Sequence, residues 1–297
     1  MPLIGERVLE RYEVLEALGS GAQGEVFAGL DIRTGDTVTI KFNRRRTFET
    51  PSTYGEMARD LVSEADSAKL LSGISRIPTI LGRGWHRNQY CIVMEFVDGV
   101  LLEDAVLEAR PLKDHATVAA IIGQLCEILH KVHSQDLVHR DVKPANIMLA
   151  PDGRLWLLDL GFAIKAGDAT DRPCGTNGYA PPEQHVPREQ GVTPRADVFP
   201  LGCMLLEMTI MHLPYADTDE RFDTDSLVIP PAMFRLVPSA FRPLALRMVH
   251  REPAQRPDVS EVFDCLRPLL PTVGSKPPAK PLCPDPTEYY RRHAPAL

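Results

Sequence analysis

Two hydrophobic periods divide the chain near residue 98. Residues 12 to 42 alternate and favour strands: a short run over Glu25–Asp31, the turn signal Thr34-Gly35-Asp36, then the β-branched run Thr37–Phe42. Together these predict an antiparallel hairpin. Met57, Leu61, Ala65, Ala68 and Leu71 recur at spacings of three and four and predict a helix over residues 56–72. Ile77–Leu81 and Tyr90–Val97 are short apolar runs of strand type. After Asp98-Gly99 the period lengthens. Val118, Ile121, Ile122, Leu125, Ile128, Leu129 and Val132 mark one face of a helix over Val118–His133. Two short strands follow, Ile147–Leu149 and Leu155–Leu158, joined by Pro151-Asp152-Gly153. Helical patterning returns from residue 197.

The expected organisation is therefore an α+β chain with a sheet-rich part at 1–97, a mostly helical part at 98–270 and a Pro-rich tail at 271–297. That last stretch (SKPPAKPLCPDP) is read as a linker or a disordered end. A length of 297 residues suits two domains or one bilobed unit.

Charge and cysteine content narrow the function class. Lys and Arg number 33 against 40 Asp and Glu, a net charge of −7, which disfavours unspecific nucleic-acid binding. The longest apolar run, Leu201–Leu213, is interrupted by Glu207 and is shorter than the roughly 20 residues that cross a bilayer, so no membrane insertion is expected. The start, MPLIGERVLERYEVLE, lacks the apolar run of a secretory signal. Cys91, Cys126, Cys174, Cys203, Cys265 and Cys283 offer no zinc or redox spacing and fit a reducing, cytoplasmic setting.

Gly19-Ser20-Gly21-Ala22-Gln23-Gly24 matches G-x-G-x-x-G. A dinucleotide-binding loop of this form opens a helix. Here the loop leads into Glu25-Val26-Phe27-Ala28, the second strand of a hairpin. That context favours a flap whose backbone N–H groups cover phosphates. With a period of two, Thr39 and Lys41 share a strand face, and Lys41 can meet phosphate oxygens as a point charge. A solvated strand-edge lysine is the plainer alternative.

The segment Val138-His139-Arg140-Asp141-Val142-Lys143-Pro144-Ala145-Asn146 is more specific. It resembles the catalytic loop, H-R-D-x-K-P-x-N, of eukaryotic-type (Hanks-type) Ser/Thr protein kinases. Asp159-Leu160-Gly161 resembles D-F-G with Leu for Phe. Gly175-Thr176-Asn177-Gly178-Tyr179-Ala180-Pro181-Pro182-Glu183 resembles G-T-x-x-Y-x-A-P-E with Pro181 for Ala. Asp197 to Gly202 resembles the D-x-x-S-L-G that opens a buried helix, and Arg256-Pro257 the late R-P. The motifs run in order from residue 19 to 257, and Pro181-Pro182-Glu183-Gln184 resembles bacterial members.

The resemblance implies a two-lobed kinase-like fold with ATP in the cleft. The small lobe would be an antiparallel sheet with one main helix. Asp141 would orient the attacking hydroxyl, Lys143 would neutralise γ-phosphate charge, and Asn146 and Asp159 would hold Mg2+. Lys41 would pair with Glu64 on the small-lobe helix, with Glu56 as fallback; Arg44-Arg45-Arg46 before that helix reads as a solvated turn. Leu18 and Val26 would roof the adenine pocket, Thr39 would face the base where the family usually has Ala, Leu149 would form the floor and Met94 the back. The backbone of Glu95 and Val97 would bond the base, with Gly19, Ser20, Gly21, Ala22, Gln23 and Gly24 over the phosphates.

The implied activity is γ-phosphate transfer from Mg-ATP to Ser or Thr of protein substrates, with autophosphorylation and input from a regulatory partner chain. Thr176 is expected to face Asp141 and Lys143, which leaves Thr170 as the activation-segment phosphosite opposite Arg140. Two other readings predict different residues. A scaffold pseudokinase predicts loss of Lys41, Asp141 or Asp159, and all three are present. A small-molecule phosphotransferase of related fold predicts a loop without Lys143-Pro144 and no Gly175–Glu183 motif, and both are present.

Overall fold

The computed structural model describes residues 3–21, 24–43, 70–71, 73–87, 89–107, 111–159, 162–169, 174–185, 191–215 and 229–297. The helix expected over 56–72, apart from its last residues, lies outside them, as do Glu56, Glu64, Arg44–Arg46, Ala22, Gln23 and Thr170. The chain divides into two compact units, Met1–Val97 and Asp98–Leu297.

The first unit is a six-stranded antiparallel sheet: β1 (Arg7–Val8), β2 (Tyr12–Gly21), β3 (Gly24–Asp31), β4 (Thr37–Asn43), β5 (Ile80–His86) and β6 (Gln89–Glu95), in the order β1-β2-β3-β4-β6-β5. Period two sorts its faces. Val38, Ile40 and Phe42 point to a core with Val14, Phe27, Cys91 and Val93, while Thr39 and Lys41 are only partly buried on the other side. Phe27 meets Phe42 edge to face, with ring centroids 5.8 Å apart. The β3–β4 turn is pinned by Asp31, which accepts from Arg11 Nε at 2.9 Å and from the Arg33 amide at 3.0 Å.

One strand sits later than the apolar run predicts. Ile77 is buried in the preceding turn, and β5 runs through Gly82 and Gly84, residues that ordinarily weaken a strand. The reason is Tyr12: a Cβ at Gly82 would lie 3.1 Å from its ring, and the Tyr12 hydroxyl donates to Leu81 O at 2.9 Å.

The second unit is mostly helical: α1 (Leu102–Leu107), α2 (His115–His133), α3 (Val198–Ile210), α4 (Pro231–Phe234), α5 (Arg242–Met248), α6 (Val259–Leu266) and α7 (Thr287–Arg292). Asp114 caps α2, accepting from the Thr117 amide at 2.8 Å. Asp258 and Glu261 form a reciprocal capping box on α6. α3 is apolar on nearly all sides and correspondingly buried. Its Pro200 falls in the first turn, where no intrahelical N–H is needed. Gly202 lets α3 approach α5, since a Cβ there would lie 2.7 Å from Met248 and Val249 atoms. Five short strands complete the unit. β7 (Val100–Leu101), β9 (Ile147–Leu149) and β10 (Leu155–Leu157) form one sheet, and β8 (Leu137–Val138) pairs with β11 (Ile164–Lys165).

The Pro-rich stretch differs from expectation. Residues 271–297 are folded, not a linker or a disordered end. They carry α7, which packs on α2, and they bury Thr287 and Tyr290 completely. The prolines prevent a long helix but leave an extended strap, and the apolar and aromatic side chains after it supply the burial.

Candidate active site

The segment His139–Asn146 follows β8 and ends in a single 3-10 turn, Pro144–Asn146, whose first residue needs no amide donor. Buried Asp197, at the start of α3, holds the segment's beginning. Its carboxylate accepts from the amides of His139 at 2.9 Å and Arg140 at 2.8 Å, and meets His133 Nε2 at 2.9 Å. Burial alone would push the Asp197 carboxyl up, but the His133 bond and charge and the His139 contacts outweigh it and hold it below its ordinary value. This support keeps Arg140 at φ 69°, in the left-handed region. The His139 ring is fully buried, and burial lowers its pKa, so it stands neutral as packing.

Four of the expected residues meet around one carboxylate. Asp141 is 3% exposed. Its Oδ1 accepts from the Thr176 hydroxyl at 2.8 Å and its Oδ2 from Asn146 Nδ2 at 2.8 Å. Lys143 Nζ lies 3.0 Å from Oδ2 and also donates to Thr176 Oγ1 at 2.6 Å. Asn146 Nδ2 donates in addition to the Asp141 carbonyl at 2.9 Å. Asp141 is thus a buried acceptor with one cation beside it, fixed from three sides and able to take a proton from a hydroxyl.

The two expected metal-ligand residues flank the β9–β10 hairpin. Asn146 precedes β9 and Asp159 follows Leu158, whose amide donates to the Asn146 carbonyl at 2.7 Å. Asp159 is at φ 56°, in the left-handed region like Arg140. Among the described residues no group of three or more His, Cys, Asp or Glu is arranged to hold a metal ion. The amide oxygen of Asn146 with the Asp159 carboxylate is instead a hard-oxygen pair of the kind that suits Mg2+, which takes few protein ligands. The pair fits because Nδ2 of Asn146 donates to Asp141, which leaves the amide oxygen as the atom that could ligate a cation.

In the first unit the strand register sorts the remaining expected residues. Lys41 stands opposite Val26 and Ile92, and Thr39 opposite Ala28 and Met94. Cross-strand partners share a face, so Val26, Thr39, Lys41 and Met94 form one surface opposite the Val38–Ile40–Phe42 core. Gly19, Ser20 and Gly21 close β2 against Gly24–Val26 of β3, and Leu18 is exposed beside them. The Glu95 amide is used by Thr79 O at 2.8 Å, and Val97 is buried at the end of the unit. The residue expected as the floor of the base site, Leu149, lies on β9 of the second unit. Leu149 is fully buried in the core of its own unit, whereas Met148, of opposite parity on β9, is only partly buried. The period-two pattern of Ile147–Leu149 already carried that signal.

Around the segment after Asp159, sequence reasoning missed the pairing that anchors Glu183. Arg256 donates to both its carboxylate oxygens, at 2.6 and 2.9 Å, and also to the carbonyls of His250, Arg195 and Arg251. Its guanidinium stacks over Phe199 at 4.9 Å. Gln184 Nε2 donates to Arg140 O at 2.9 Å, tying this segment to the catalytic loop. Burial raises the Cys174 thiol, which suits a plain protonated thiol rather than a reactive one.

The protein kinase domain family matches residues 12–265. The chain belongs to the protein kinase family. Serine/threonine-protein kinase PknB of Mycolicibacterium smegmatis is 33% identical over 219 residues, covering 71% of this chain and 34% of that protein. PknB of Mycobacterium leprae is 34% identical over 215 residues, or 69% and 33%. Serine/threonine-protein kinase PknD of Mycobacterium tuberculosis is 32% identical over 255 residues, or 82% and 37%. The chain therefore spans about a third of the length of these relatives. The antiparallel sheet unit and the helical unit are those of a bacterial Hanks-type kinase domain, and no helix among the described residues is long and apolar enough to cross a membrane.

Proposed function

We propose that this kinase domain transfers the γ-phosphate of ATP to Ser or Thr hydroxyls of protein substrates, its own chain included. The observation that carries the reading is the Asp141 carboxylate held by Thr176, Lys143 and Asn146.

In this reading Asp141 accepts the proton of the attacking hydroxyl, and its hydrogen bonds keep the carboxylate aimed without reorganisation. Lys143 shares its charge between Asp141 and the incoming phosphoryl oxygens. Asn146 and Asp159 hold Mg2+, which supplies charge neutralisation at the β- and γ-phosphates when bound. Lys41 meets the phosphates, with Glu64 as its partner. The loop Gly19–Gly24 covers them, and Leu18, Val26, Thr39 and Met94 contact the base. We take Met148 rather than Leu149 as the floor, because Met148 is partly buried whereas Leu149 is fully buried. The Glu95 carbonyl and the Val97 amide bond the base. Arg140 awaits phosphate on the segment containing Thr170, and a partner chain supplies the upstream signal in a cytoplasmic setting.

The test is transfer from labelled ATP to a generic basic protein, followed by phosphoamino-acid analysis. Phosphoserine or phosphothreonine that vanishes in Asp141→Asn is expected. Transfer that survives in Asp141→Asn, or that yields only phosphotyrosine, overturns the reading.

A further inference from the structure

The C-terminal strap lies beyond the stretch matched by the kinase family, which ends at residue 265. It packs onto the turn of the hairpin that carries Asn146 and Asp159. Gly153, in that turn, has φ +80°, and a Cβ there would lie 2.4 Å from Asp285 O, 3.0 Å from Glu288 Cβ and 3.2 Å from Tyr289 N. Strap backbone thus touches hairpin backbone directly.

Gln124 of α2 joins the two. It is fully buried. Its Nε2 donates to Gly153 O at 2.9 Å and to Pro286 O at 3.0 Å, and its Oε1 accepts from the Leu155 amide at 2.9 Å. One side chain therefore fixes the turn, the first residue of β10 and the strap.

The strap is itself anchored. Tyr290 is fully buried, and a Cβ at Gly123 would lie 3.0 Å from its hydroxyl. The hydroxyls of Tyr289 and Tyr290 each donate to Glu127 at 3.1 Å. Asp285 accepts from the Thr287 amide at 2.9 Å and pairs with Arg291 at 2.7 Å, which shapes the approach to α7.

We propose that Gln124 and the strap Asp285–Tyr290 are positioning elements for phosphoryl transfer. They set the β9–β10 register and, through it, how Asn146 and Asp159 face a shared cation. The proposal rests on the reading of Asn146 and Asp159 as metal ligands. Its logic is leverage: the register runs Leu149 to Leu155 and Ile147 to Leu157, so slack at the turn is passed to both hairpin ends. Buried polar groups that lose a partner shift to regain one, and the Gly153 carbonyl and Leu155 amide would both be released.

The experiment uses the full chain carrying Gln124→Met, which keeps length and removes every hydrogen bond of the amide. Two quantities are read: Mn2+ affinity in the presence of a non-hydrolysable ATP analogue, by electron paramagnetic resonance, and the Mg2+ concentration for half-maximal transfer. Both are expected to weaken at least threefold, with kcat at saturating Mg2+ within about threefold of the parent. A folded variant with a lower Tm and unmoved metal affinity has lost only stability, which overturns the proposal. If Gln124→Met does not fold, Arg291→Ala loosens the strap without touching a hairpin bond and is judged on the same readouts. Asp159→Asn run alongside separates the two levels. If it keeps the parent's metal affinity, the ligand reading has failed; if it loses metal while Gln124→Met and Arg291→Ala do not, only the brace has failed.

Discussion

The Thr176 hydroxyl donates to Oδ1 of Asp141 while accepting from Nζ of Lys143. It relays between the cation and the carboxylate and orients both. Thr176→Val removes the relay and keeps the shape. A hydrogen bond to a charged group is worth about 1.5–3 kcal/mol, so kcat should fall roughly ten- to a hundredfold. The KM for ATP should stay unchanged and Thr176→Ser should remain near the parent, both read by steady-state kinetics.

Glu183 and Arg256 are both buried, and Arg256 donates to both carboxylate oxygens of Glu183 and to three backbone carbonyls. Removing one partner leaves an uncompensated buried charge, at a cost of about 3–5 kcal/mol. Glu183→Gln is expected to lower Tm by roughly 10 °C in calorimetry. Pairing it with Arg256→Met should recover part of that loss, because the double change removes both charges.

Asp31 gives the first unit an acid-sensitive contact. The hydrogen bonds from Arg11 lower its carboxyl from 3.8 to about 2. A depressed folded-state value stabilises the fold above the unfolded pKa. That contribution is fully present above pH 3.8 and is lost as pH falls towards 2. In melts from pH 6 to pH 2, Asp31→Asn should melt below the parent at the upper end, and the gap should close at the lower end.

Thr39 shares a sheet face with Val26, Lys41 and Met94. In the proposed function its hydroxyl faces adenine and must keep a partner or lose hydration. Thr39→Ala is expected to lower the KM for ATP about two- to fivefold with kcat little changed. An unchanged KM would place the base elsewhere.

The cluster round Asp141 was legible because Lys143 and Asn146 lie within a few residues of it, and a 3-10 turn suffices to fold them back onto its carboxylate. The sheet face of Thr39 and Lys41 was legible from period two alone. The alternating burial of Ile147, Met148 and Leu149 was legible from the same period. The remaining features depend on partners far away in the chain. Arg256 finds Glu183 across 73 residues, and Gln124 meets Pro286 across 162. No local pattern marks such pairs. For the same reason the folded strap is not legible: its prolines are local, whereas the face that receives Tyr290 belongs to α2. The β5 strand moved because Tyr12, not its own glycines, decides what fits there.

Asp141 is proposed as the group that receives the hydroxyl proton, and the most direct measurement is kcat and ATP affinity of Asp141→Asn beside the parent chain. Asparagine keeps the shape and removes the basic oxygen. The prediction is a loss of about a thousandfold in kcat, within the usual range for a general base, with ATP affinity within about twofold. A kcat within tenfold of the parent would contradict the assignment of Asp141, and with it the proposed mechanism.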